Sequence, residues 1–518
     1  MMKGTLFTRL TRPAALALGL GLSSGAALAE EVTIQSFDGG ISITGELVSV
    51  EGSTATIDSA VGRLQVNLLE MRCIGDACPQ QAAVTGEVSI AGAKSVLTKV
   101  MPALVTGYAV SRLDATAQTE AMNDMTKVVI QTETTGQLAT IDIVPTNSET
   151  GFAKLKSGEA DIIVSGRPAS SDERSTAAKE KVLALDGILV LAHPSNPVRV
   201  VGKSDLPAIF SGRTSKWSDL GGFDADIKIY AQAGDAASIE LFNALVMEPA
   251  GASFDADITI LDSDAAVAEA VARDPFGIGI GTFSAQRGAR PMIIRGACGV
   301  QTPANEFTIR TEDYPLTQRI YLYSGSAELD AYAADLEDFA LSDEGQFLLS
   351  TGGYVDQRVS SERIDSQGIR LASAMMENGA DGSFRDLRRM MTNLVAGERM
   401  SLTFRFEFGS TTLDSRALGD VERLATLLST GDFQNKDVYL VGFADSLGDA
   451  GKNLALSQTR AQVVREALFR AAPAGSLDNI RISADGYGEL APIVCNDTEA
   501  ERATNRRVEV WVSDRVGG

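Results

Sequence analysis

Apolar and polar positions change their period several times along this chain, and the changes mark its parts. Residues 31–80 alternate over short runs, VTIQSFDGGISITGELVSVEGSTATIDSAVGRLQVNL, broken by Asp-Gly, Glu-Gly and Val-Gly pairs. Period-two alternation between turn-forming glycines predicts a small unit of short strands. From Glu87 onward strands and helices take turns. A strand at 88–90 leads into a helix bearing Val96, Leu97, Val100, Met101, Leu104 and Val105. A strand at 141–144, a helix around 152–155 and a strand at 162–164 follow, the last ending in Ser165, Gly166 and Arg167. Later, Leu402, Phe404, Phe406 and Phe408 alternate, and Leu418, Val421, Leu424, Leu427 and Leu428 recur at helical spacing. The 437–460 stretch is the most informative. Val438, Leu440 and Gly442 alternate with Tyr439, Val441 and Phe443 as a strand, then Gly448 and Gly451 interrupt. Leu456, Val463, Val464, Ala467 and Leu468 give a helix. This order predicts Asp445 at the loop mouth and Arg460 about one turn inside the helix, so an acid and a base converge.

The length of 518 residues suits about three domains. The first 29 residues stand apart: Lys3, Arg9 and Arg12 precede an apolar run at 14–22, and Ala27 and Ala29 supply small residues. This pattern predicts a secretory signal peptide cut after Ala29, with an apolar core too short to span a membrane. Its loss would remove three positive charges and take the net charge from −22 to −25. Such an acidic protein is a poor partner for nucleic acid or anionic lipid. Local anion binding is not excluded, because backbone N–H groups and one arginine suffice. An exported protein meets an oxidising compartment, where Cys73 and Cys78 are spaced for a small-loop disulfide. Cys298 and Cys495 either pair across a domain interface or stay as buried thiols. His193 is the single histidine and reads as structural, and no residues have metal-ligand spacing. No catalytic residue, metal or cofactor is expected.

The string at 437–460 resembles the OmpA C-terminal family of peptidoglycan-binding domains. Gly442, Asp445, Gly448, Asn453, Leu456, Ser457, Arg460 and Ala461 match the family pattern. A second block, GYGELAPIVCNDTEAERATNRRVEVWV, agrees, with Asn505, Arg506 and Arg507 entering the last strand. The resemblance implies a β-α-β-α-β domain that holds the meso-diaminopimelate of a stem peptide. Asp445 would accept from its ammonium, Arg460 would fork onto its carboxylate, and Asn453 would order the loop or donate to the peptide. Arg506 and Arg507 either contact the glycan-peptide or pair with acids of the last strand. Ala444 stands where the family usually has Thr, and Gly409 where it has Asp.

A second resemblance covers about 280 residues. LDGILVLAHPSNPV, LPAIFSGRTSKWSDLGG, DPFGIGIGTFS and LEDFALSDEGQFLLSTGGYV look like the phosphate-type substrate-binding proteins of ABC importers. It implies a two-lobed type II periplasmic-binding-protein fold and a small oxyanion, phosphate or related, as ligand. The ligand motifs depart from the family. Gly92-Ala93-Lys94-Ser95 replaces G-S-x-T, Gln232 replaces an Arg, and Ala236-Ala237-Ser238 replaces S-G-T. Each lost charged contact would cost about 1.5–3 kcal/mol. Ser95, Ser165, Arg167 and Ser238 remain as oxyanion donors, with helix capping and turn formation as their plainer roles.

The expected order is a signal peptide at 1–29, a small β module at 30–82, a two-lobed domain at 85–370, a linker at 371–400 and the OmpA-like domain at 401–518. Arg388 and Arg389 in the linker read as a solvated face. The function expected is a periplasmic oxyanion-binding protein, not an enzyme, anchored non-covalently to peptidoglycan, its location peptidoglycan- or outer-membrane-associated. An ABC importer or outer-membrane proteins are its candidate partners. The alternative is a wall-anchored signalling or assembly scaffold whose cleft no longer takes phosphate.

Overall fold

The computed structural model describes residues 31–515 apart from 37–40, 52–53, 69–70, 76, 79–85, 133–135, 178, 234–235, 256, 326–328, 364–383 and 407–409. The signal-peptide segment, Gly409 and the first part of the expected linker lie outside the described residues. The chain forms two compact units, one ending at Ala82 and the other running from Ala83.

In the first unit, Glu31–Ser36 lies between Ser42–Glu51 and Met71–Ile74 in an antiparallel five-stranded sheet. Ile34, Ala55, Ile57 and Leu68 form its small core. Cys73 and Cys78 are disulfide-bonded, with Cα atoms 5.7 Å apart.

The second unit holds the two remaining folds. An eleven-stranded sheet carries both lobes of the larger one. Lys179–Ala192 is the strand that joins them: its first half pairs with Thr317–Ser324 and its second half with Gly277–Thr282. Every position from Val182 to Ala192 is buried, as expected of a strand covered on both faces. In the first lobe Gly86–Ala93 pairs parallel with Gly136–Thr146 and Ile162–Ser165. Gly92 sits at φ +121°, and a Cβ there would lie 2.0 Å from the Val164 carbonyl oxygen. Only glycine permits that approach. The helix expected after this strand is two helices, Lys94–Lys99 and Met101–Leu113, separated by the non-helical Val100. Pro102 is tolerated in the first turn of the second because its missing N–H would have no helical partner there.

The last fold is a five-stranded sheet in the order Ser361–Arg363, Glu398–Arg405, Arg507–Asp514, Lys436–Gly442, Arg481–Gly486. Its two faces are explained by the alternation in the sequence. Val438 and Leu440 face Leu424, Val464 and Leu468 of the helices Ser415–Ser429 and Ala450–Ala471. Val441 and Phe443 face the opposite way, against Met390 and Leu394 of Phe384–Leu394. That last helix falls in the expected linker, yet it covers the sheet. Arg389 is accordingly no freely solvated side chain: it donates to the Gly486 carbonyl at 3.1 Å and lies 5.1 Å from the Tyr487 ring centroid.

The OmpA-like and two-lobed folds meet in a charged, largely buried seam. The Glu312 carboxylate is ringed by Arg319, Arg405 and Arg416. Burial alone would raise its pKa, but Arg319, Arg416 and Arg405 hold it well below the ordinary value of 4.5. Glu312 also holds a left-handed backbone, φ 56°, a conformation that side-chain-bearing residues keep only where surroundings fix them. Beside it, Asp313 receives two bonds from the fully buried Arg399, one of them at 3.1 Å. The Ser415 hydroxyl reaches Glu180 of the first lobe at 2.6 Å. On the second lobe, Cys298 is bonded to Cys495, so those two cysteines pair across the interface.

Candidate functional site

The acid-base constellation at 437–460 is built by a close strand-helix approach. A Cβ on Gly442 would lie 2.0 Å from the Ser457 carbonyl oxygen, so the strand presses directly on the helix. Asp449 caps that helix, accepting from Lys452 N at 2.9 Å. The cap starts the helix ahead of Gly451, which the first turn absorbs. Arg460 therefore lies about three turns inside, not one.

Asp445 follows the strand and is 5 % exposed. Its Oδ1 accepts from Leu447 N at 3.0 Å and shapes the loop. Its Oδ2 accepts from Arg506 Nη1 at 2.9 Å. Asn453 Nδ2 ties the same loop to the helix through the Asp445 and Leu447 carbonyls, at 3.2 and 3.0 Å, and reaches Glu489 at 2.7 Å.

Arg460 is fully buried. Its Nε and Nη2 both donate to the Ser410 carbonyl at 3.2 Å, and its guanidinium lies 5.3 Å from the Phe406 ring centroid. Among the described residues Nη1 has no hydrogen-bond partner and no carboxylate pairs with this arginine. Burial, and then the neighbouring Arg506, push its pKa down to about 10 against the opposing pull of Asp445. Two cations, Arg460 and Arg506, thus stand beside Asp445. Arg506 bridges Asp445 and Glu499, the latter at 2.6 Å. Arg507 takes the other option: it is buried against Glu509 at 2.8 Å within the last strand.

The second candidate region is the cleft between the lobes, about 800 Å³ in volume. Of the expected oxyanion donors, Ser95 and Ser238 line it, while Ser165 and Arg167 do not. The Ser165 hydroxyl closes a turn, donating to the Arg167 carbonyl at 2.6 Å. Arg167 forks onto Glu173 with two contacts of 2.8 Å, so its charge is already matched. Ser238 donates to Asp264 at 2.9 Å. The cleft is also richer in acids than its motifs suggested. Burial lifts Asp186 to about 7 and Asp264 to about 6. Lys99 Nζ donates to the Ser284 carbonyl at 2.6 Å, and burial lowers its pKa.

A raised carboxyl pKa means that the folded state binds the extra proton, so stability falls as pH rises from about 4 to about 7. Asp186→Asn keeps an acceptor for the N–H groups of Gly187 and Ser284 that Asp186 Oδ1 now bonds. It should leave stability unchanged near pH 4 and raise it by about 1–2 kcal/mol at pH 8. Urea unfolding at the two pH values checks this.

The sequence motifs did not single out Arg506 as a partner of Asp445, nor Asp186, Asp264 and Lys99 as cleft residues. Lys99 had a signal, lying four residues after Ser95 on one helical face. The two acids had none, because their strand and helix meet only in the folded lobes.

Together these features define a two-lobed periplasmic-binding-protein fold followed by an OmpA-type domain. Residues 110–344 match the PBP superfamily domain, and residues 405–506 match the OmpA family. The chain is 39% identical over 114 residues to "Outer membrane porin F" of Pseudomonas fluorescens, 22% of this chain and 33% of the porin. It therefore spans about a third of that relative's length. It is 24% identical over 251 residues to "Protein SphX" of Synechococcus elongatus, 45% of this chain and 72% of that protein. An ABC-type phosphate transport receptor from Vibrio cholerae superposes with a TM-score of 0.41 at 17% identity, covering 52% of this chain and 99% of the receptor. Among the described residues no helix is long and apolar enough to cross a membrane.

Proposed function

We propose that this is an exported, non-enzymatic binding protein that the OmpA-like domain anchors to peptidoglycan, with a small solute in the cleft of the two-lobed domain. One observation carries the anchoring half: Arg460 is buried, charged and, among the described residues, left with an unused donor. Burying a guanidinium without a carboxylate is costly unless an anion arrives to meet it. The free end of meso-diaminopimelate carries both a carboxylate and an ammonium. Arg460 suits the first and Asp445 the second, with Arg506 holding Asp445 in place and Asn453 fixing the loop.

The solute half is supported by the fold, by the relatives, and by Ser95, Lys94 and Lys99 along the cleft. Phosphate or a related oxyanion is the ligand this reading assigns. A second reading, a scaffold with no phosphate bound, is favoured by Ser238 donating to Asp264 and by the buried Asp186, both of which oppose a dianion. Calorimetry with phosphate and a panel of oxyanions separates the two, since heat from none of them leaves the scaffold. For the anchor, the full chain should co-sediment with purified sacculi and be released by free meso-diaminopimelate. Protein that stays in the supernatant would sink the anchoring reading.

A further inference from the structure

The loop that follows the edge strand of the OmpA-like sheet is gripped from two sides. On one side it belongs to the peptidoglycan site. Asn496 Oδ1 accepts from Ser446 N at 3.3 Å, and Ser446 directly follows Asp445. Asn505 holds the same loop through Ile493 N at 3.0 Å and the Val494 carbonyl at 2.8 Å. Arg506 then leaves the helix Glu499–Asn505 to meet Asp445.

On the other side the loop belongs to the second lobe. Cys495 is bonded to Cys298, and Cys298 N lies 3.1 Å from Cys495 Sγ. Gly296 leaves room for that sulfur, since a Cβ there would lie 2.3 Å from it. Thr302 Oγ1 donates to the Ile493 carbonyl at 3.4 Å. Lys203 Nζ donates to Glu501 Oε1 at 2.9 Å, with both side chains largely buried. Glu501 is the residue whose other oxygen caps the helix, accepting from Asp497 N at 3.2 Å and Thr498 N at 3.1 Å. The cavity lined by Lys203, Gly296, Cys495 and Glu501 is only about 10 Å³, so the loop packs closely against the lobe here.

We propose that the second lobe is a working part of the peptidoglycan site: Cys298 and Lys203 are positioning residues that hold the 493–501 segment, and through it Asp445 and Arg506, in ligand-binding register. The inference rests on the anchoring reading above and adds a set of residues outside the OmpA-like domain. Cys298 acts by fixing Cys495, one residue from Asn496. Lys203 acts by fixing Glu501, and hence the helix that ends at Arg506. Contacts one step removed from a ligand group set its orientation, and orientation sets affinity.

The test is calorimetric titration of the full chain with a tripeptide ending in meso-diaminopimelate. Wild type is compared with Cys298→Ser/Cys495→Ser, Lys203→Met and Lys203→Arg, each checked for native thermal melting. The double serine variant and Lys203→Met should each bind about tenfold more weakly, while Lys203→Arg keeps the ion pair and restores affinity. That rescue is what a merely structural lysine would not show. Wild-type affinity in both the double variant and Lys203→Met would overturn the inference and leave the anchor standing. No binding by the wild type itself would overturn both. Should the double variant fail to fold, the Lys203 pair decides alone.

Discussion

Arg460→Ala should reduce sacculus binding by about a hundredfold or more, the scale set by truncating one partner of a buried, hydrogen-bonded charge pair. Arg460→Lys should fail nearly as badly, because an ammonium cannot reproduce the fork that a carboxylate accepts. Stability should behave differently. Arg460 is fully buried and, among the described residues, no carboxylate pairs with it and Nη1 has no partner, so its burial in the free protein is costly. Arg460→Met, of similar length and apolar, should leave unfolding free energy within about 1 kcal/mol of wild type or raise it. A site kept for ligand shows this split between binding and stability. A structural arginine would lose both together, and sedimentation beside urea unfolding distinguishes the cases.

Glu312→Gln should be the most destabilising single change in the seam, at about 3–5 kcal/mol. The glutamine cannot balance Arg319, Arg405 and Arg416, which all converge on this carboxylate. The wild-type contribution also has a pH window. The folded-state pKa of Glu312 lies well below the ordinary 4.5, so its stabilisation is complete above that value and is lost as pH falls below it. Denaturant midpoints from pH 7 down to pH 3 should therefore drop less steeply for Glu312→Gln than for wild type. Equal slopes would show that the three arginines do not depend on this charge.

What the sequence made legible was local. Asp445, Asn453 and Arg460 share one strand-loop-helix segment that the alternation and helical spacing marked, although the Asp449 cap sets Arg460 about three turns into the helix and not one. Alternation in 438–443 also marked a strand, but not that both its faces are buried: the helix Phe384–Leu394 that covers one of them looked like linker because its polar face dominates its composition. Side chains whose partners lie far along the chain were opaque. Arg506 meets Asp445 across 61 residues, and Ser238 meets Asp264 across 26. Arg167 misled for a different reason. A strand-end arginine is what an anion site needs, but Glu173, six residues on, folds back onto it. Charge matching within a short turn removed it from the cleft.

Ser415 holds Glu180 on the first lobe, while Cys495 and Glu501 hold Cys298 and Lys203 on the second. Seen as mechanics, the OmpA-like domain is a yoke. Under the proposed wall anchor, tension entering through this domain would divide between the two lobes, with a covalent bond on one arm and only hydrogen bonds and ion pairs on the other. The weaker arm yields first, so load would open the lobes asymmetrically, pivoting them about the disulfide.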